Sequence, residues 1–495
     1  MDAEVIVVGA GPTGLMVAGE LALGGVEVLV IDDQERPHGQ SRGLGFTARA
    51  AETFDQRGLM SRFGDTTTSE MGHFGGIRMN YTVLEGAHFG VRGVLQATTE
   101  AVLEGWATEL GVKIQRSRAL VGLVDRGDEV TVEVRTPGSI EFLHAAYLVG
   151  CDGGRSTVRR AAGFDFPGEP PQLEMFLADV VGAKIRPRFL GEMVNGGMVM
   201  AAPLGHDVDR IIVCERGTTP RRDGSTPPWS EVSAAWRRLT GEDIEQFEPL
   251  WVSTFTDAAR QVSHYRRGRV MVAGDAAHTH LPAGGQGLST GVQDAANLGW
   301  KLAAEVRGWA PPGLLDTYHR ERHPVGARLL MNTQAQGLLN LTGAHMQPLR
   351  DVLTELIQID DAARHLAGMV SGLDVRYPVG PGEHPLLGRR LPPQTLLIGN
   401  SKTSSSEVLH AGHGVLLDLA DNAEIRTVAA AWGDRVDVIT ATALADGDTG
   451  KLQATAAVLV RPDGYVVWTS PGTERDLTEA LTQWFGAPHD LTPTP

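Results

Sequence analysis

Cysteine is almost missing from this chain. Two in 495 residues, Cys151 and Cys214, leave no disulfide framework and no cysteine-rich zinc site, and a reducing, cytoplasmic setting is expected. Positive charge is also scarce: 44 Lys and Arg against 60 Asp and Glu give a net charge of −16. That balance argues against a nucleic-acid or anionic-membrane partner. No apolar run reaches bilayer length, and Asp2 and Glu4 stand where a secretion signal would carry positive charge. Internal repeats, low-complexity tracts and a second glycine fingerprint are lacking as well. What remains is the profile of a soluble enzyme of two or three domains, long enough to bury large cores.

The first segment, EVIVVGAGPTGLMVAGELALGGVEVLVIDD, reads as an apolar strand, a glycine turn at Gly9, Gly11 and Gly14, a helix and a second strand ending on Asp32 and Asp33. With 61 glycines in 495 residues, a bare G-x-G-x-x-G arises by chance about once, so context must carry the reading. Gly9 permits the tight turn, Gly11 admits a pyrophosphate to the backbone, and Gly14 lets helix and strand pack closely. Phosphates would rest on the helix N-terminus, and Asp32 stands where a carboxylate can bond a ribose hydroxyl. Two later strands also end on turns: LVGCDGGRSTVRRAAG on Asp152, and RVMVAGDAAHTHLPAGGQG on Gly274 and Asp275. Ligands of open α/β sheets bind at that strand edge.

Between about Phe176 and Arg266 the pattern changes to short alternating strands, which suggests an inserted antiparallel or mixed sheet able to roof a ligand. Asp316 to Leu341 is expected to be helical and bent near Pro324. RYPVGPGEHPLLGRRLPP, Arg376 to Pro393, reads as a linker to a small α/β domain.

Together the glycine turn at 9 to 14, DGGRSTVR at 152 to 159 and GDAAHTHLPAGGQGLSTGVQDAANLGWKLA at 274 to 303 resemble the FAD-dependent aromatic hydroxylases, flavoprotein monooxygenases related to p-hydroxybenzoate and phenol hydroxylases. The whole chain looks most like the bacterial members that tailor aromatic polyketides, angucyclines in particular, in antibiotic pathways. The resemblance implies an α/β fold: a Rossmann-like FAD-binding domain in two parts (1–175 and 267–385), an inserted substrate sheet (176–266) and a thioredoxin-like C-terminal domain (390–495). That last domain has no cysteine, so dithiol chemistry is excluded and a structural or assembly role is expected.

The resemblance also implies roles for residues. Asp275 would bond the ribityl chain of FAD and Asp32 the adenosine ribose. Arg42 and Gln96 would face the phosphates and flavin, and Asp152 and Arg155 the region of pyrophosphate and NADPH, although a local helix cap by Asp152 is equally open. Pro282, Gly285, Gly287, Leu288 and Ser289 would pass the flavin ring, with backbone N–H groups and the next helix N-terminus toward its pyrimidine edge. Family members usually carry asparagine where this chain has Ser289; a backbone contact makes that change mild. His73, Phe74, Arg78, Tyr81, Met198 and Met200 are candidates for an apolar substrate cavity, with a core role equally open. No metal site is expected, because no carboxylate pattern completes His278 and His280.

The implied reaction uses NADPH, FAD and dioxygen. A flavin C4a-hydroperoxide would pass one oxygen atom to a polycyclic aromatic polyketide, with ring hydroxylation favoured because the flavin loop carries no Arg or Lys. Baeyer–Villiger insertion by the same adduct, a flavin dehydrogenase or reductase, and a non-catalytic FAD-binding scaffold stay open. So does the oligomeric state, a homodimer included.

Overall fold

The computed structural model describes residues 1–37, 39–84, 90–221, 225–444, 450–471 and 476–489. Its centre is a parallel sheet in which Lys113–Gln115, Val28–Ile31, Ala3–Val8, Ser139–Gly150 and Val270–Val272 lie side by side. Ala3–Val8, Val28–Ile31 and Val270–Val272 are almost wholly apolar, as strands covered on both faces must be. Register aligns their carboxyl ends: Val8 pairs with Ile31 on one side and Gly150 on the other, and Gly150 pairs with Val272. The glycine turn, the DGG turn and the GD turn therefore leave the sheet from one edge.

Helices Pro12–Leu23 and Gln286–Val306 pack together through small residues. An added Cβ at Gly291 would stand 2.2 Å from Thr13 Oγ1, and one at Gly299 2.3 Å from Glu20 Cβ. Beside this unit lies an antiparallel five-stranded sheet, ordered Arg188–Val194, Gly197–Gly205, Val208–Glu215, Glu174–Val181 and Pro249–Thr256. Its residues alternate as a half-buried sheet must. Val199 and Ala201 pack under helix Trp229–Thr240 around Trp236, whereas Met198 and Met200 face the opposite way, level with Cys214 and Ile212.

Helix Thr317–Leu341 forms as expected, with Pro324 inside it. The Pro- and Gly-rich stretch from Arg376 to Pro393 is no exposed tether: Tyr377, Val379, Leu386, Leu387 and Leu391 are buried in the cores on either side of it. Composition marks turns, and these turns lie under a second domain. That domain holds a four-stranded sheet ordered Val436–Thr440, Gly414–Asp418, Ala457–Val460 and Val466–Ser470, with only the first pair parallel.

The turn between its last two strands, Arg461-Pro462-Asp463-Gly464, plugs into the first domain. Arg461 makes a two-pronged ion pair with Glu321, at 2.6 and 2.9 Å, and Asp463 accepts from Asn297. The backbone carbonyls of Pro462 and Asp463 accept from Arg57 and Arg49. Arg390 reaches Glu52 at 2.7 Å. Among the described residues no helix is long and apolar enough to cross a membrane.

Candidate flavin site

Gly9 has φ +104° and sits so close to the next strand end that an added Cβ would meet Cys151 O at 2.5 Å. Gly14 packs against Gly9, leaving 1.9 Å to its carbonyl oxygen for a Cβ. Gly11 differs: a Cβ there meets nothing within 4 Å. Gly11 is also the N-cap of Pro12–Leu23 and offers no side-chain cap. Unfilled space before uncapped N–H groups suits a phosphate, while the flanking glycines serve close packing. Asp32 accepts from Ala10 N at 2.7 Å and Gln34 N at 2.9 Å, with Arg116 3.8 Å away. It braces the turn and keeps acceptor capacity for a ribose.

At the third strand end, Gly274 takes φ +60° against Thr13. That turn leaves Asp275 exposed, and its carboxylate makes no hydrogen bond among the described residues. The glycine loop that follows is close by: a Cβ on Gly287 would lie 3.4 Å from His280 Nε2 and 3.9 Å from Asp275 Oδ1. Gly284 and Gly285 are left-handed, at φ +70° and +65°, and Gly285 caps helix Gln286–Val306 without a side chain. A Cβ on Gly285 also meets nothing. Two uncapped helix starts, one free carboxylate and glycine-sized openings at each thus line one edge, and these residues fit an extended dinucleotide.

The remaining candidates divide. Gln96 is the first residue of helix Gln96–Glu109, accepts from Gly43 N at 3.2 Å and donates to Glu100 at 2.8 Å. A Cβ on Gly43 would also lie 3.9 Å from Leu288, so Gln96 and Leu288 meet at that glycine. Arg42 is exposed and its guanidinium stands 3.4 Å from Ser253 of the inserted sheet. Pro282 is exposed in the loop. The Ser289 hydroxyl turns inward and accepts from Thr47 N at 2.9 Å. Asp152 serves the local cap: its oxygens take Ser156 Oγ, Thr157 N and Val158 N. Arg155 is exposed beside it.

On the substrate side, Met198 packs with Leu281 and Ala283 of the glycine loop and with Met175, Ile212 and Phe255 of the sheet. Met200 is half-buried on the same sheet face. His73 lies in the hairpin Met71–Phe74 and Ile77–Asn80, opposite exposed Arg78, and burial pushes its imidazole below the usual range. Phe74 and Tyr81 belong to a separate core cluster. Tyr81 lies against Gly72, and burial raises its phenol.

Asp294, Arg322 and Arg159, none given a role from the sequence, hold the site together. Asp294, about two turns along its helix, accepts from Gly274 N at 3.1 Å and His278 Nε2 at 2.9 Å with one oxygen. Its other oxygen takes Arg322 Nε at 2.7 Å. Burial would raise this carboxyl, but Arg322 and His278 outweigh it and hold it below the ordinary range. Arg159 donates to Gly154 O and Ala276 O, bolting the DGG turn to the GD turn. The available signal was a charged residue on an otherwise buried helix. Burial, then the neighbouring His278, pushes His280 down, so it stands neutral beside Gly287.

Residues 2–333 match the FAD binding domain family, and 384–488 match the aromatic-ring hydroxylase C-terminal family. This chain belongs to the FAD-dependent aromatic-ring hydroxylases. They are flavin monooxygenases. The chain is 61% identical to CabE, an aromatic hydroxylase from angucycline biosynthesis, over 99% of this chain and 100% of that one, with a TM-score of 0.96. It is 42% identical to the 12-dehydrotetracycline 5-monooxygenase/anhydrotetracycline 6-monooxygenase of Streptomyces rimosus, covering 99% and 100% of the two chains. It is also 39% identical to the dialkyldecalin synthase of Streptomyces rugosporus, over 98% and 99%.

Proposed function

We propose that the protein hydroxylates a polycyclic aromatic polyketide, as a tailoring step in antibiotic biosynthesis, with FAD as cofactor and NADPH as reductant. One observation carries this: Met198, Ile212 and Phe255 of the sheet and Ala283 of the glycine loop pack against one apolar cluster that holds buried Met175 and Leu281. An aromatic ring system held there would bury its faces on Met and Phe while lying beside the loop. The parallel sheet with its glycine turn supports a Rossmann-like first unit. The strand order of the last sheet, one parallel pair followed by two antiparallel ones, supports a thioredoxin-like last unit.

Bound FAD supplies the reduction and oxygen activation. The chain's own part is to grip, orient and exclude water. Gly11 and Asp32 would take the pyrophosphate and adenosine ribose, Asp275 the ribityl hydroxyls, and the helix start at Gly285 the electron-rich edge of the ring. His280, neutral through burial and His278, adds no cation to the loop. Buried Arg322 and Arg210 are matched by Asp294 and Asp179, at 2.7 Å each. A peroxide kept anionic for Baeyer–Villiger insertion would need an unmatched cation; the glycine loop carries none, which favours hydroxylation. Arg42, which meets the Ser253 hydroxyl and no carboxylate among the described residues, is the cation that would promote insertion.

The test is incubation of the FAD-loaded protein with NADPH, labelled dioxygen and candidate polyketides. One labelled oxygen on an intact carbon ring is the expected product. A ring-expanded ester as sole product would promote insertion instead. Product without oxygen uptake would align the chain with the synthase relative, and NADPH consumption with no oxygenated product would favour a reductase.

A further inference from the structure

Three buried amide side chains form a continuous hydrogen-bonded line between the substrate-side hairpin and the glycine loop. At one end Gly75 N, at the hairpin tip, donates to Gln336 Oε1 at 3.1 Å. Gln336 Nε2 donates to Asn332 Oδ1 at 2.9 Å, and Asn332 Nδ2 to Gln286 Oε1 at 2.7 Å. Gln286 Nε2 then donates to Ala283 O at 3.0 Å. Gln336, Asn332 and Gln286 are 0%, 1% and 4% exposed. Each amide accepts on one side and donates on the other. Polarity is fixed from both ends, because a backbone N–H can only donate and a carbonyl only accept.

Packing alone does not require amides there, but leucines would leave Gly75 N and Ala283 O without these partners. Burying three amides is tolerable only when all are satisfied, and hydrogen bonds in such a line polarise one another. The surroundings keep the line taut. Asn332 and Gln336 are one turn apart on helix Thr317–Leu341 and so share a face. Gly284 leaves them room: a Cβ there would stand 3.1 Å from Gln286 Nε2 and 3.6 Å from Gln336 Nε2. On its other side the hairpin tip is clamped by Arg350, which donates to Gly75 O at 2.7 Å.

We propose that Gln336, Asn332 and Gln286 are positioning residues that couple the hairpin bearing His73 to the glycine loop, so that a substrate pressing on the hairpin tip alters the loop beside the flavin. The inference rests on the flavin reading of residues 282–287. The relay transmits in both directions, as any coupling free energy must.

The experiment uses the full-length, FAD-loaded protein, with backbone hydrogen exchange read separately over 71–80 and 280–288 and the visible spectrum of bound flavin as a second signal. Gln336→Leu removes the bonds to Gly75 N and Asn332 but leaves the loop end in place, and Gln286→Leu removes the bonds to Asn332 and Ala283 O but leaves the hairpin end in place. Gln336→Leu is expected to speed exchange at 280–288 about ten-fold and to shift the flavin band, and Gln286→Leu to speed exchange at 71–80 to a similar degree. Asn332→Leu keeps the side chain's approximate size but neither accepts from Gln336 nor donates to Gln286, and should produce both effects with cooperative melting intact. If each substitution loosens only its own end, or Asn332→Leu changes neither, the relay is refuted. Should the wild-type protein bind no flavin, the exchange measurements still decide the relay, and the flavin reading alone falls.

Discussion

Arg322 and Asp294 meet as a fully buried ion pair, Nε to Oδ1 at 2.7 Å, joining helix Thr317–Leu341 to the helix that begins at the glycine loop. The same carboxylate holds Gly274 N, so the pair sets the turn from which Asp275 projects. Removing one partner of such a pair strands the other charge in a dry interior, which costs roughly 3–5 kcal/mol. Arg322→Met is expected to lower the unfolding free energy by about that much and to weaken FAD retention. Denaturant titration and flavin release measure the two effects, and full stability in the variant would refute the role.

Gly11→Ala and Gly14→Ala separate binding from folding. At Gly11 the new methyl meets no protein atom, so melting should stay within about 0.5 kcal/mol of the parent while FAD binding falls. At Gly14 it would run into Gly9 O at 1.9 Å, and stability itself should drop by about 2 kcal/mol or more. Equal flavin retention in Gly11→Ala and the parent would remove the pyrophosphate from that turn.

Asp275→Ala is expected to emerge from gel filtration largely without flavin, with its melting unchanged once apo forms are compared. An exposed carboxylate with no protein partner contributes nothing to the fold, whereas a charged hydrogen bond to a ligand is worth about 1.5–3 kcal/mol.

Acid should loosen the junction of the two domains. Burial alone would raise Glu321, yet Arg461 and Lys301 bring it down to about 2 from an ordinary 4.5. A depressed carboxyl stabilises the fold fully above its unfolded value and loses that contribution as pH falls from about 4.5 toward 2. Burial pulls Lys301 the other way, to about 8, although it touches the same carboxylate at 2.8 Å. The two shifts disagree about that contact. The carboxylate side carries more weight, because Arg461 grips Glu321 with two bonds and also repels the ammonium. Lys301→Met should therefore be milder than Arg461→Met, and Glu321→Gln should flatten the stability profile between about pH 4.5 and 2.

Much of the site was legible because a strand, a glycine turn and an acid recur at three points, and a parallel sheet brings such points to one edge. Gly9, Gly11, Gly14 and Asp275 could be assigned to that edge from the sequence alone. Asp294 and Arg322 were not legible, since 28 residues and two helices separate them and no local spacing announces a tertiary pair. Arg159 stood inside a motif already noticed, but its reach to Ala276 O depends on the neighbouring strand. Ser289 looked like a departure from a flavin-facing asparagine; its hydroxyl instead supports Thr47 N. The linker was misread because Pro and Gly report backbone shape and say nothing about what lies on top.

A chain cut after Pro393 should fail as a flavoprotein, contrary to what an exposed linker would allow. It would leave Glu321 and Asn297 without Arg461 and Asp463, and would uncover Trp300 and Leu314. The expected product is insoluble or flavin-free; a soluble yellow fragment would overturn this.

The turn from Arg461 to Gly464 also sets a schedule for biosynthesis. A ribosome makes Glu321 and Asn297 more than 130 residues before Arg461 and Asp463, the groups that pair with them. During that interval the nascent first domain holds a cluster of charged and amide groups facing a vacancy, and it cannot settle domain by domain as many multidomain chains do. Only when the penultimate hairpin clears the exit tunnel can both halves close in one step, so a stalled or prematurely terminated message yields no half-functional enzyme.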